Sequence, residues 1–229
     1  NKQLVELKKN NIDEYKQKSE MLIESVLGIE KSDLYLNDNF IPHQHLEHLK
    51  ESFSLLLKDV PVQHIIGKTY FYEHEFFTPP GVFIPRPETE LIIDCIQNDF
   101  ESLSEKTVLD IGCGSGCIGI TLASLYKNFD VTGIDISNKA INIATKNAKQ
   151  LKVTNIDIIK QNIFDMKPKK FDIIVIGAGL SSLMFLVKYV KKHPQQKILL
   201  LDKDHDKKND QTFCVWQGPD IINLTDEFD

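Results

Sequence analysis

The sequence predicts an α/β protein whose core is a parallel sheet with helices on both faces, preceded by a small helical domain and a β-hairpin linker. Three observations indicate this fold: helical spacing of apolar residues up to about residue 60, aromatic and β-branched residues up to residue 84, and alternating strand and helix patterns beyond it. The 229 residues suffice for one such core with an accessory domain. We expect four regions, at residues 1–60, 61–84, 85–175 and 176–229.

Two helices are predicted in the first region. Apolar residues recur at steps of three and four from Tyr15 to Leu27, and Gly28 follows as a helix stop. A second helix is predicted from about Pro42 to Leu57. Between Val60 and Phe83 the residues favour a hairpin or a pair of short strands, interrupted by glycine and proline.

A helix from Glu88 to Asp99 follows a Pro-Arg-Pro segment that suits a first helical turn. Strands and helices then alternate strictly, which is typical of a parallel sheet that binds ligands at the carboxyl ends of its strands. The predicted strands are Thr107–Asp110, Val131–Ile134, Ile156–Ile159, Phe171–Ile176 and Lys197–Leu201, and the predicted helices are Cys117–Leu125, Asn138–Leu151 and Leu180–Lys192.

Composition excludes several classes of protein. A hydrophobic content of 41% and a charged content of 26% are ordinary for a globular protein. The net charge of −6 gives no general attraction for nucleic acid or anionic lipid, and no apolar run approaches the roughly 20 residues of a membrane span. We therefore expect neither direct nucleic-acid binding nor a membrane partner.

The cysteines and histidines do not indicate a disulfide framework or a metal site. The spacing of the four cysteines fits neither bridges nor zinc knuckles, which favours a cytoplasmic protein. His43, His45 and His48 cluster, but no cysteine or carboxylate stands at a matching spacing, so we expect no bound metal.

The strongest chemical signal is a glycine-rich loop between a predicted strand and a helix. Gly112, Gly114 and Gly116 follow Asp110 as G-x-G-x-G, whereas a dinucleotide site requires a further glycine where Cys117 stands. Small residues let a ligand approach the backbone, and we expect free N–H groups at the helix start to face it.

The acids around this loop favour S-adenosylmethionine over a dinucleotide. This cofactor has an ammonium group, which Asp110 suits directly or through water, and no pyrophosphate. Asp135 ends the next strand, where a carboxylate can hold both ribose hydroxyls. The alternative is a structural turn beside an incidental acid.

The segment Ile84-Pro85-Arg86-Pro87-Glu88-Thr89-Glu90, followed by Asp110–Gly116, resembles the peptide chain release factor glutamine N5-methyltransferases. Pro61–Gly67 and Phe71 look like the interdomain hairpin of that family, and the resemblance reaches to about residue 175. The alternative is a generic class I methyltransferase.

The resemblance implies a Rossmann-like class I methyltransferase core and an amino-terminal domain that docks a release factor, whose Gly-Gly-Gln loop is methylated. It also implies that Ile163 flanks the adenine and that Asn162 stands where an acid commonly accepts from the adenine amino group; an amide can still accept there. The cofactor-binding residues expected in all are Asp110, Gly112, Cys113, Gly114, Ser115, Gly116, Asp135, Asn162 and Ile163.

The pattern departs from the family after the strand Phe171–Val175. The family's Asn-Pro-Pro-Tyr, whose asparagine orients the substrate amide, is replaced by Ile176-Gly177-Ala178-Gly179. We therefore name no catalytic residue and expect impaired methyl transfer.

The replacement carries its own resemblance, to the flavin-binding start of a lycopene cyclase. Gly177 and Gly179 would form a second nucleotide loop, Asp202 would be its ribose acid, and Asn209–Trp216 is similar to a run in those enzymes. Most of that enzyme is absent, so we do not expect bound FAD. We expect Lys197–Leu201 to be the next parallel strand, the tail after Asp202 to be poorly ordered, and the sheet to remain incomplete.

Three hypotheses follow from the sequence. The first is a release-factor-type methyltransferase with impaired transfer. The second is a fragment or fusion with a lycopene cyclase start. The third is a non-catalytic remnant that binds the cofactor and transfers nothing.

Overall fold

A computed structural model describes residues 14–30, 32–33, 41–99, 105–167, 169, 171–176, 199–200 and 215–216. The chain divides into two compact units, the first formed by residues 1–69 and 78–84 and the second by residues 70–77 and 85–229. Each unit has its own apolar core. Within the described ranges, none of the helices combines the length and the apolar character that a bilayer crossing requires.

The first unit is helical, as the sequence predicts. Its helices are α1 (Tyr15–Leu27), α2 (His43–Leu57) and α3 (Val62–Ile66). Gly28 ends α1 with a φ of 65°, and its N–H donates to the carbonyl of Glu24 at 2.8 Å. The apolar faces of the helices share one core, whose buried members are Leu22, Leu49, Phe53, Leu56 and Val62.

Helix α3 differs from the expectation of strand structure between Val60 and Phe83. Some of its residues are β-branched, but Pro61 precedes the helix and Gly67 ends it with a φ of 80°. The N–H of Gly67 donates to the carbonyl of Gln63 at 2.8 Å. The side chain of Val62 is 3% exposed in the helical core. Tertiary packing thus overrides a weak strand propensity over five residues.

The expected hairpin follows as β1 (Lys68–Phe71) and β2 (His74–Phe77). Phe71 and Phe76 are fully buried and meet edge to face, with ring centroids 6.2 Å apart. Tyr72 turns the chain with a φ of 55°, and its N–H donates to Oε1 of Glu90 at 2.8 Å. Glu90 begins α4 (Glu90–Asp99), after a 3₁₀ turn at Pro87–Thr89, so the last acid of the Pro-Glu-Thr-Glu segment supports the hairpin turn.

The second unit contains a parallel sheet of four strands, which confirms the predicted α/β class. Its elements are β3 (Lys106–Ile111), α5 (Cys117–Leu125), β4 (Phe129–Asp135), α6 (Asn138–Gln150), β5 (Ile156–Lys160), a 3₁₀ turn (Ile163–Asp165) and β6 (Ile173–Ile176). The interior residues of β3 and β4 are almost all buried, as expected of strands covered on both faces. The strand order is β5-β4-β3-β6, so it reverses at β3, and ligands bind outside the carboxyl ends at such a point.

The expectation for the next strand is wrong. Leu199–Leu200 (β7) pairs antiparallel with Val215–Trp216 (β8) in a separate two-stranded sheet, instead of extending the parallel sheet. An apolar strand pattern shows that a segment pairs, but not with which partner. The predicted helix Leu180–Lys192 and the second loop residues Gly177, Gly179 and Asp202 lie outside the described residues.

Candidate functional site

The glycine loop lies at the carboxyl end of β3, at the point where the strand order reverses. Its glycines, Gly112, Gly114 and Gly116, have φ values of 73°, 57° and 79°, which other residues rarely adopt. A Cβ at Gly116 would lie 2.7 Å from Cδ1 of Ile120, so this glycine permits close packing on the helix. A Cβ at Gly112 would meet no atom within 4 Å, so the loop leaves open space at its exposed first residue.

The backbone N–H groups of the loop are used within the protein. Gly112 and Cys113 donate to the carbonyl of Ile134 at 2.8 and 3.0 Å, and Gly114 donates to Oδ2 of Asp135 at 3.0 Å. Gly116 donates to the carbonyl of Cys113 at 2.7 Å. These four N–H groups of the loop are therefore not free, and the expectation of free N–H groups at the start of the helix, which begins at Cys117, stays a prediction. The four engaged groups are not available to a phosphate, which argues against a dinucleotide.

Asp110 lies beneath the loop rather than at an open surface. Its side chain is 2% exposed, and its Oδ2 accepts a hydrogen bond from the N–H of Gly119, in the first turn of α5, at 3.0 Å. A Cβ at Gly119 would lie 2.9 Å from the same oxygen, so a larger residue there would displace the Asp110 carboxyl group. The carboxyl group thus satisfies a helix-terminal donor. Its contact with an ammonium group stays a prediction.

Burial raises the pKa of Asp110 to about 7; the bond from Gly119 opposes this shift and the charge of Asp135 adds to it. The folded state therefore binds the Asp110 proton more tightly than the unfolded chain. This contribution to stability is complete below pH about 4 and is lost as the pH rises to about 7, with a slope of at most about 1.4 kcal/mol per pH unit.

Asp110→Asn carries no proton to lose, so we expect its free energy of unfolding to improve relative to wild type as the pH rises from about 4.5 to about 7.5, the range that spans the two pKa values. Urea denaturation of both proteins across that range measures the difference. A difference that does not change with pH would show that Asp110 has the same pKa in both states.

Asp135 ends β4 with its carboxylate half-exposed and oriented by two backbone donors. Besides Gly114 at Oδ2, Ser137 donates its N–H to Oδ1 at 2.8 Å. Each carboxylate oxygen has lone pairs for a further donor, so the group can accept from two adjacent hydroxyls. Ile136, the next residue, is 71% exposed.

The end of β5 brings Asn162 and Ile163 to the same edge of the sheet. Gln161 donates its N–H to the carbonyl of Asp135 at 3.1 Å, which joins the two strand ends. The Oδ1 of Asn162 accepts from the N–H of Phe164 at 3.0 Å and so caps the 3₁₀ turn, while the side chain remains exposed. Ile163 is half-buried.

The side chains of Cys113 and Ser115 face the protein interior, at 7% and 2% exposure. Burial raises the pKa of the Cys113 thiol, so the thiol is neutral. A Cβ on Gly133 would lie 3.4 Å from the Cβ of Cys113, which places this cysteine against β4. These two residues therefore offer only backbone atoms to a ligand.

Three residues at or behind the site were not found from the sequence. Ile136 and Phe164, 71% and 53% exposed, provide large apolar side chains at the strand ends that carry the polar groups. Ile136 could have been predicted to lie at the site, because it directly follows Asp135 at the end of the strand. Asn147 lies buried behind the loop and contacts it; nothing in the pattern of α6 distinguishes it from a surface asparagine.

Within the described part of the chain, no group of three or more His, Cys, Asp or Glu side chains is arranged to hold a metal ion. His43, His45 and His48 lie on α2, in the first unit.

Comparison with known proteins finds two family models on this chain. A PrmC N-terminal domain matches residues 4–67, and a methyltransferase domain matches residues 102–211. The second match extends beyond β6 to residue 211, into the segment 172–229 that resembles a lycopene cyclase start, and the comparisons give no support to that resemblance.

Two curated relatives each match most of this chain. A release factor glutamine methyltransferase from Chlorobaculum tepidum is 33% identical over 176 residues, which cover 72% of this chain and 60% of the relative. One from Fusobacterium nucleatum is 33% identical over 214 residues, which cover 91% of this chain and 58% of the relative. This chain thus spans about three fifths of the length of these relatives.

Among solved structures, an RNA methyltransferase from Salinibacter ruber in complex with S-adenosyl-L-homocysteine matches 62% of this chain and 97% of its own. The sequence identity is 19% and the TM-score is 0.47.

Proposed function

Since the chain belongs, through its amino-terminal domain and its core, to the release factor glutamine methyltransferase family, we propose that it binds S-adenosylmethionine at the carboxyl ends of β3, β4 and β5. One observation carries this proposal: the N–H groups of Gly112, Cys113, Gly114 and Gly116 are engaged internally, while Asp135 presents an oriented, half-exposed carboxylate. Such a site has an acceptor for hydroxyls and four loop donors that are not available to a phosphate, which fits a nucleoside without a pyrophosphate.

Each part of the proposed site fits one part of the cofactor. The open space at Gly112 admits the ligand close to the backbone, and Asp135 accepts from the ribose hydroxyls. Ile136 and Ile163 provide apolar surface for the adenine, and the exposed amide of Asn162 has acceptor and donor capacity for its edge. When bound, S-adenosylmethionine supplies an electrophilic methyl group on its sulfonium.

We propose that the protein partner is a peptide chain release factor and that the acceptor is the glutamine of its Gly-Gly-Gln loop. The relatives named for this activity and the match to the amino-terminal domain support this partner. The full sequence contains no Asn-Pro-Pro-Tyr. An amide nitrogen is a poor nucleophile unless its hydrogens are held, so we propose that this chain binds the cofactor and transfers the methyl group slowly or not at all.

Titration calorimetry with S-adenosylmethionine tests the binding half of this proposal. We expect micromolar binding of S-adenosylmethionine and of S-adenosylhomocysteine. FAD and NAD serve as the phosphate-bearing controls and should produce no heat. Binding of FAD without binding of S-adenosylmethionine would overturn the proposal and restore the flavin-type hypothesis for residues 172–229.

Transfer of a labelled methyl group to a release factor tests the second half. The matched control is the same release factor with alanine in place of the Gly-Gly-Gln glutamine. We expect at most slow labelling, confined to the glutamine-bearing protein. Labelling as fast as that by the Chlorobaculum relative would contradict the impairment, and equal labelling of both substrates would contradict the assignment of the acceptor.

A further inference from the structure

Asn147 is a buried polar residue in the last turn of helix α6 and is not part of the proposed site. Its side chain is 0% exposed, and all of its hydrogen bonds are to backbone atoms. Nδ2 donates to the carbonyl of Ser115 at 2.9 Å and to the carbonyl of Phe77 at 3.1 Å, and Oδ1 accepts from the N–H of Phe77 at 2.8 Å.

The pair of bonds with Phe77 has the form of a strand partner. One amide side chain binds both the N–H and the carbonyl of the last residue of β2, as a neighbouring strand would. The ring of Phe77 is held as well, because Nζ of Lys146 lies 3.5 Å above its centroid. The backbone of Phe77 therefore holds the Asn147 amide in place while the same amide binds the loop.

The third bond acts on the part of the glycine loop that β4 does not hold. Gly112, Cys113 and Gly114 are tied to the end of β4, whereas Ser115 is bound through its carbonyl by Asn147. Ser115 stands between two glycines with positive φ, which have the widest backbone freedom of any residue. A loop of this composition needs external contacts to keep one shape.

We infer that Asn147 is a positioning residue for the cofactor, which holds the glycine loop in its binding shape by tying Ser115 to the hairpin strand β2. This inference rests on the proposed function, since the ligand it concerns is S-adenosylmethionine. Asparagine is unfavourable inside a helix, and a buried amide is destabilising unless it is fully bonded. Its place in α6 is explained by these three bonds.

Asn155 provides a matched control. Its Nδ2 also donates two hydrogen bonds to backbone carbonyls, those of Tyr126 and Phe129, at 3.0 and 2.9 Å. It stands just before β5, at the end of the sheet opposite to the glycine loop. Asn155→Ala therefore removes two comparable bonds of the same unit without touching the loop.

The test compares Asn147→Ala with Asn155→Ala in the full chain by two measurements. Calorimetry gives the dissociation constant of S-adenosylmethionine, and NMR gives the hydrogen exchange rates of the Gly114 and Gly116 amides without cofactor. We expect Asn147→Ala to weaken binding about tenfold and to speed exchange at both amides about tenfold. Asn155→Ala should leave both quantities within twofold of wild type, although it lowers the denaturation midpoint.

Equal effects of the two variants, or no effect of Asn147→Ala, would overturn the inference, since a merely structural role predicts one or the other. Should Asn147→Ala fail to fold, Asn147→Ser leaves a smaller cavity and the same two measurements apply. If the wild-type protein does not bind S-adenosylmethionine, the proposed function fails, and the exchange rates alone decide whether Asn147 holds the loop.

Discussion

Gly112→Ala is expected to weaken S-adenosylmethionine binding by at least tenfold while the protein stays folded. No atom lies within 4 Å of the point that an added Cβ would occupy, so the methyl group would project into the space proposed for the ligand. The φ of 73° adds strain of roughly 1–2 kcal/mol to the folded state, or shifts the loop backbone. Calorimetry measures the first effect and urea denaturation the second.

Gly28→Ala is the control for this variant, because it introduces similar backbone strain at a residue outside the proposed binding space. Gly28 has a φ of 65°, and a Cβ there would likewise meet nothing within 4 Å, but it caps α1 in the first unit. We expect a similar loss of stability and an unchanged dissociation constant. If both variants bind the cofactor as wild type does, the ligand does not lie at Gly112.

Asp135→Ala is expected to reduce S-adenosylmethionine affinity between tenfold and a hundredfold. Hydrogen bonds to a charged group contribute about 1.5–3 kcal/mol, and the ribose hydroxyls would lose theirs. The variant also removes the acceptor of the Gly114 N–H, so one anchor of the loop is lost. Titration with S-adenosylmethionine and with its 2′-deoxyribose analogue measures the ribose part, because the variant should no longer distinguish the two ligands.

Asp130→Ala is the matched control for this variant. Asp130 lies on the same strand, β4, five residues earlier, and is exposed. The two variants change the net charge equally, so a general electrostatic effect would appear in both. We expect Asp130→Ala to bind as wild type does; an equal loss in both would remove Asp135 from the proposed site.

Much of the fold was accessible from the sequence because its signals are local. Apolar periodicity located α1, α2, the sheet strands and their helices to within a few residues. The end of α1 was predicted from one residue, Gly28, because glycine readily adopts the positive φ that ends a helix. Helix α3 was missed because its five residues have mixed propensities. Their conformation depends on packing in the helical core, and the local sequence pattern carries no information about that packing.

The candidate site also has features that the sequence could predict and features that it could not. The sequence determined where the loop and the strand-ending acid lie, because G-x-G-x-G after a strand and an acid after the next strand fix positions along the chain. It could not show how their polar groups are paired. The structure placed the N–H groups of Gly112, Cys113 and Gly114 against Ile134 and Asp135, and it buried Asp110 against the first turn of α5.

The partners of distant segments were decided only in three dimensions. Asn147 reads as an ordinary polar residue of α6, yet it joins residues 70 and 32 positions away. Likewise, an apolar pattern marked Lys197–Leu201 as a strand, but its pairing with Val215–Trp216 depends on which partner comes within hydrogen-bonding distance. The sequence by itself determined the class of fold and the location of the glycine loop. Only the tertiary structure decided which backbone groups of that loop are already bonded within the protein, because hydrogen-bond partners are chosen by proximity in space.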